Sequence, residues 1–238
     1  MSVQTRAMHI GRSNASRKVV TYRSGHFTGY VPSVRNERMI QYESILERDY
    51  IMLLEADRDV ASYTEQPAAI EWSDGVDFHT TTFDFCVTLS SGKRYLVEVK
   101  PLAKVVKYGL DELYGYARAT AKDQGYDDLE LWTDRELKAE PRLLNAVLVA
   151  SATTPFESAE VQLALLTAIR EIRRITSRVT VRELRAASKL GDAAYWAIVR
   201  MVARGQLIPA HRTAPLDDRA VLMFAGDERG AATLGVAI

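Results

Sequence analysis

The stretch from Phe83 to Lys100 admits few folds. Phe83-Asp84-Phe85 and Val97-Glu98-Val99-Lys100 are period-2 runs separated by the turn signal Ser90-Ser91-Gly92-Lys93, so the stretch reads as a β-hairpin. Alternation places Phe83, Phe85, Val87 and Leu89 on one face of the first strand and Tyr95, Val97 and Val99 on the matching face of the second. Asp84, Glu98 and Lys100 then share the opposite face. Asp84 and Glu98 lie almost equally far from the turn, which makes them cross-strand neighbours roughly 5–8 Å apart. Like charges that close repel, and a divalent cation between them relieves the repulsion. Hard carboxylate oxygens with few imidazoles nearby favour Mg2+ or Mn2+ over zinc. An ammonium beside an attacking water lowers its pKa and steadies the charge that develops on a phosphodiester, a role that fits Lys100. The plainer alternative is a solvated sheet face carrying surface ion pairs.

A further acid comes from the segment before the hairpin. Over Met39–Ala56, helical spacing gathers Leu46, Tyr50, Ile51, Leu53 and Leu54 into one apolar sector, and Glu43 and Glu47 fall inside it. A carboxylate on a core-facing stripe needs a metal, a lysine or a buried hydrogen bond. Glu43 is near enough to the helix start for the dipole to accommodate it. Glu47 is therefore the preferred candidate, with Glu43 as its alternative.

In this order of segments the chain resembles the TnsA endonucleases of heteromeric transposons, members of the PD-(D/E)xK restriction-endonuclease-like superfamily. The resemblance runs from Val31-Pro32-Ser33-Val34-Arg35 through Leu46-Glu47, Leu54-Glu55 and Thr64-Glu65-Gln66-Pro67. It continues through Thr82-Phe83-Asp84-Phe85, Val97-Glu98-Val99-Lys100-Pro101 and Leu131-Trp132-Thr133-Asp134-Arg135-Glu136, over roughly half the chain. It implies that Glu47, Asp84, Glu98 and Lys100 act together as the catalytic set. Asp84, Glu98 and the Val99 carbonyl would hold Mg2+, with Mn2+ as substitute, and Glu47 would help place that ion or a second one. The best-known form of the family has glutamine where this chain has Glu98. Glutamate is the commoner choice in the wider superfamily and keeps a metal ligand.

The chain is long enough for one full core and a small second domain. Cys86 is the only cysteine, so no intrachain disulfide can form, and a reducing cytoplasm is the expected compartment. The histidines are scattered without zinc-ligand spacing, no apolar run approaches ~18 residues, and the first residues open no signal-peptide pattern. The net charge is zero but segregated: before Glu37 stand Arg6, Arg12, Arg17, Lys18, Arg23 and Arg35 with no acid. A basic N-terminal arm over residues 1–38 suits phosphate contact through Arg12, Arg17, Lys18 and Arg35, the alternative being a solubilising tail. The acids that follow, Asp49, Glu55, Asp57, Asp59, Glu65, Glu71, Asp74 and Asp77, read mostly as a solvated surface. Pro101-Leu102-Ala103-Lys104 leads into a helix through Leu110, Leu113 and Tyr116. Lys104 thereby falls at the edge of the site, to meet a phosphate or stand as a surface lysine. Asp128–Thr133 reads as another strand, completing an α/β nuclease domain over 39–150.

Ser151-Ala152-Thr153-Thr154-Pro155 marks the expected domain boundary. Beyond it, Glu160–Arg174 has helical spacing, Thr180-x-x-Glu183 is a capping box, and Asp192 is the candidate cap of a third helix that Gly205 stops. Gln206-Leu207-Ile208 and Ala220–Phe224 flank a turn. Three helices and a hairpin spell a winged-helix domain over 155–238. The third helix carries only Arg200 and Arg204, while Arg170, Arg173, Arg174, Arg178, Arg182 and Arg185 cluster earlier, leaving DNA and protein equally good partners for it.

The expectation is an α/β chain with a restriction-endonuclease-like core and a C-terminal winged helix, cutting one strand of double-stranded DNA at transposon ends. The resemblance implies a DDE-type transposase that cuts the other strand and an AAA+ regulator that meets the C-terminal domain. No membrane association is expected. Two rivals remain: a stand-alone phage or defence nuclease of the same fold, and a catalytically silent DNA-binding or assembly module.

Overall fold

The computed structural model describes residues 11–16, 27–152 and 158–226. Contacts divide the chain into two compact units, Met1–Ala139 and Glu140–Ile238.

The first unit begins with an antiparallel hairpin of β1 (Gly29–Ser33) and β2 (Arg38–Tyr42), followed by α1 (Ile45–Ala56). One helix over Met39–Ala56 is thus corrected. The β1 ladder claims Arg38–Tyr42, and Ser44 starts the helix by accepting the Glu47 N–H at 3.1 Å on its Oγ. Next come β3 (Val60–Glu65), β4 (Ile70–Ser73), β5 (Phe78–Thr81), β6 (Phe85–Leu89) and β7 (Arg94–Val99). After these follow α2 (Leu102–Tyr108), α3 (Leu110–Asp123), β8 (Asp128–Trp132) and α4 (Asp134–Leu137). Gly109, in the left-handed region, breaks what the sequence reads as one helix into α2 and α3.

Four strands form the central sheet in the order β3-β6-β7-β8, with β7 and β8 parallel and the other pairs antiparallel. The β6–β7 turn closes at Gly92, whose φ of 87° a side chain would strain. Both faces of the sheet are covered. On one, Tyr50 of α1 packs against Phe85 and Trp132, each at a ring-centroid distance of 5.3 Å. On the other, Cys86, Leu96 and Leu129 pack with Tyr114, Ala117 and Ala121 of α3 and with Ile70, Trp72 and Phe83. Phe83 therefore does not share a face with Phe85. The chain leaves strand geometry at Thr82–Asp84, which interrupts the alternation there.

The second unit comprises α5 (Arg142–Ser151), α6 (Ala159–Arg173), β9 (Arg178–Thr180), α7 (Val181–Ser188), α8 (Asp192–Ala203), β10 (Leu207–Pro209) and β11 (Val221–Phe224). Its strands pair antiparallel in the order β10-β11-β9. The Thr180–Glu183 capping box opens α7, and Gly205, with φ 66°, follows the end of α8. The division falls before α5 rather than after it. Asn145 explains this: its amide donates to the Ala214 carbonyl and accepts the Leu216 N–H, both at 2.9 Å, tying α5 to the segment between β10 and β11. Thr153-Thr154-Pro155, the latter part of the stretch the sequence marks as a boundary, lie outside the described residues. The chain is mixed α/β with several small sheets and eight helices among the described residues, and none of those helices is long and apolar enough to cross a membrane.

Candidate active site

The edge of the sheet where β6 begins and β7 ends gathers the acids. Phe85 pairs with Val97 and Cys86 with Leu96, and the same register carried one residue further sets Asp84 against Glu98. Asp84 Oδ2 accepts the Val99 N–H at 2.8 Å and the Lys100 ammonium at 3.0 Å. Glu98 Oε1 receives the same ammonium at 2.7 Å and the Tyr114 hydroxyl at 3.2 Å. Glu98 Oε2 is buried with no hydrogen-bond partner.

Glu47 reaches this place from the first turn of α1. Its side chain accepts the Glu43 N–H at 2.7 Å and the Ser44 hydroxyl at 2.9 Å, so it also serves the helix start. The sequence signal for that second role was Ser44-x-x-Glu47, the same spacing as the capping box at Thr180.

The carboxylates are not on a solvated face. Glu98, Glu47 and Asp84 are 4%, 7% and 8% exposed. Burial, with the Asp84 charge next, pushes the Glu47 and Glu98 carboxyls up to about 7. Burial alone would lower the Lys100 ammonium, but Asp84 and Glu98 more than offset it and hold the group above its ordinary value. The Lys100 charge works against the rise of the Glu47 and Glu98 carboxyls but does not outweigh burial. Around it, Lys100 N–H donates to the Trp132 carbonyl at 3.0 Å and Leu102 N–H to Asp134 at 2.7 Å, anchoring the chain as it leaves β7.

Of the residues expected to meet a phosphate, Lys104 is exposed in the first turn of α2, just beyond Lys100, and Arg12 is exposed. Arg17 and Lys18 lie outside the described residues. Arg35 is half-buried and turned inward. Its guanidinium donates to the carbonyls of Val60, Glu55 and Asp57, the latter two at 3.2 and 2.6 Å, closing the C-terminal end of α1. The acid run is corrected in part: Asp49 and Glu65 are buried, and Glu65 pairs with buried Arg38 at 2.6 Å. The Ser13 hydroxyl donates to the same carboxylate, which fixes residues 11–16 against the first unit.

Sequence reasoning missed Tyr114. The available signal was its position on a stripe with Ala117 and Ala121, small residues that bring the helix close to the sheet and leave a polar-tipped ring to reach a strand residue.

Asp84 and Glu98 supply hard oxygen donors, and the unpartnered Glu98 oxygen has a lone pair free for a cation, so the donor chemistry fits a divalent ion. The placement fits less closely. Lys100 holds the space between the two carboxylates, and among the described residues no group of three or more His, Cys, Asp and Glu is disposed to hold a metal. No protein-family model and no curated protein matches the chain.

Proposed function

We propose that this chain is a metal-dependent DNA endonuclease, the subunit of a heteromeric transposase that cuts one strand at transposon ends, as its resemblance to the TnsA endonucleases implies. The observation that carries the reading is the burial of Asp84 and Glu98 against one lysine, with a carboxylate oxygen left unpartnered. A buried carboxylate is costly unless it is paired or bound to a metal, and Lys100 leaves one Glu98 oxygen with neither. The mixed four-stranded sheet with helices on both faces supports a restriction-endonuclease-like core. In the second unit, helices α6 to α8 with the three-stranded sheet support a winged helix, through which an AAA+ regulator would be met.

In this reading Asp84, Glu98 and the Val99 carbonyl would hold Mg2+ or Mn2+, and Glu47 would help place it or a second ion. When bound, the ion polarises the scissile phosphate and lowers the pKa of the attacking water. Lys100 orients that water and offsets the charge that accumulates on the phosphorus oxygens. Asp84 holds the Val99 N–H and so fixes the strand end that carries Lys100. Cleavage leaves a 3′-hydroxyl. A DDE-type transposase that recognises the end sequence would cut the other strand, so this subunit needs little base readout of its own.

A second reading has its own observation. Glu47 is bonded at a helix start and Lys100 pairs with both other acids, so the cluster is largely self-satisfied, as in a silent assembly module. Mn2+ titration by calorimetry, with plasmid nicking on the same samples, separates the two. Binding and nicking that Asp84→Ala abolishes support the endonuclease. Failure of the wild type to bind with or without DNA leaves the module. Neighbouring genes distinguish a transposon subunit from a stand-alone nuclease.

A further inference from the structure

Two donors converge on one oxygen of Glu98. Lys100 Nζ lies 2.7 Å from Oε1 and the Tyr114 hydroxyl 3.2 Å from it, while Oε2 is buried and bonded to nothing. A carboxylate could share its donors between its oxygens, and leaving one buried oxygen bare is unfavourable. The ammonium alone does not impose that arrangement, because Lys100 is a flexible point charge that also serves Asp84. Tyr114 does impose it. Its ring is held edge-on to Phe83 at 5.4 Å and to Trp72 at 6.5 Å, on the α3 face that packs against Leu96 and Cys86. The packed ring fixes the hydroxyl oxygen, and its in-plane O–H donates to Glu98 Oε1. Its acceptor is the buried Glu98 side chain, whose only other partner among the described residues is the Lys100 ammonium.

We propose that Tyr114 is a positioning residue for Glu98: its hydroxyl pins Oε1 so that Oε2 is presented to a divalent cation. The proposal rests on the reading that Asp84 and Glu98 bind such a cation. Tyr114 touches neither substrate nor metal and acts through the carboxylate alone. Groups that orient a metal ligand from behind typically matter roughly 10–100-fold in metal affinity.

The test uses the full chain and four proteins: wild type, Asp84→Ala, Tyr114→Phe and Tyr63→Phe. Tyr63 is the control because its hydroxyl is also buried and donates to a glutamate, Glu55 at 2.6 Å, which is not among the clustered acids. Mn2+ affinity is measured by calorimetry and folding by thermal melting. The expected result is that Tyr114→Phe weakens Mn2+ binding by roughly 10–100-fold, that Tyr63→Phe stays within about twofold while losing comparable stability, and that excess Mn2+ restores nicking to Tyr114→Phe. If Tyr114→Phe binds Mn2+ like the wild type while Asp84→Ala does not, Tyr114 merely fills the core, and the metal reading survives without it. If wild type shows no binding that depends on Asp84, the metal reading and this proposal both fall. Should Tyr114→Phe not fold, 3-fluorotyrosine placed at position 114 keeps the ring and strengthens the donor. Its fluorine resonance must then move on Mg2+ binding, and a stationary resonance overturns the proposal.

Discussion

The Lys100 ammonium lies 2.7 Å from the Glu98 carboxylate two residues before it, and 3.0 Å from Asp84 across the sheet. It is an internal cation in the place a metal would share. Removing it should separate its two roles. Lys100→Met is expected to bind Mn2+ as tightly as wild type or more so, because a competing positive charge is gone. Nicking should fall by roughly 10²–10³-fold, as when a charge-stabilising donor is lost. Weaker Mn2+ binding by a folded Lys100→Met protein would show that the lysine does not compete with the ion.

The buried acids make stability depend on pH in an unusual sense. A carboxyl whose folded pKa exceeds its unfolded value binds more protons when folded, so stability declines as pH rises between the two values. Glu47 and Glu98 move from 4.5 to about 7. Metal-free protein should therefore be more stable at pH 5 than at pH 7.5, by on the order of 1–3 kcal/mol. Glu98→Gln should flatten part of that slope. Urea melts in EDTA at both pH values check it, and identical slopes for wild type and Glu98→Gln would show that Glu98 titrates normally.

Arg38 and Glu65 form a buried ion pair at 2.6 Å. Truncating one member leaves an uncompensated charge, so Arg38→Met should destabilise the protein by roughly 3–5 kcal/mol. Replacing both, Arg38→Met with Glu65→Leu, should recover most of that loss. Denaturant midpoints of the two variants decide it, and equal destabilisation would mean that the pair carries little of the coupling.

The alternation that located Asp84 and Glu98 was legible because the β6–β7 register is set by a short turn and apolar residues. It did not show that the second face was buried as well. That depends on α3, whose Ala117 and Ala121 allow close approach but give little apolar signal in sequence. Phe83 departs from the alternation for a similar reason: its position follows from where the strand begins, which the pairing of Phe85 with Glu65 and Val97 fixes. The helix over Met39–Ala56 was too long because local propensity cannot see the β1 partner of Arg38–Tyr42. Ser44, with Glu47 three residues on, is the local signal for the true helix start and for the capping role of Glu47. In the second unit the Thr180 box and Gly205 gave the helix ends, since both act within one turn of the chain. The assignment of α5 rests on Asn145 meeting residues Ala214 and Leu216, a contact at long sequence separation that no local pattern announces.

Arg12 and Arg35 read alike in the sequence, as members of one basic arm, yet the structure gives them different work. Arg12 is exposed, whereas the Arg35 guanidinium is spent on the carbonyls of Glu55, Asp57 and Val60. A phosphate contact contributes about 0.9 to the slope of log affinity against log salt. Arg12→Gln should therefore reduce the salt slope for double-stranded DNA by about that amount with the melting temperature unchanged. Arg35→Gln should do the opposite, since it removes donors from the end of α1. It should lower the melting temperature and leave the slope as it was. Fluorescence anisotropy across a salt series, paired with thermal melts, reads both quantities. An unchanged slope in Arg12→Gln would remove Arg12 from the DNA contact, and a reduced slope in folded Arg35→Gln would mean that its guanidinium leaves those carbonyls for a phosphate when DNA binds.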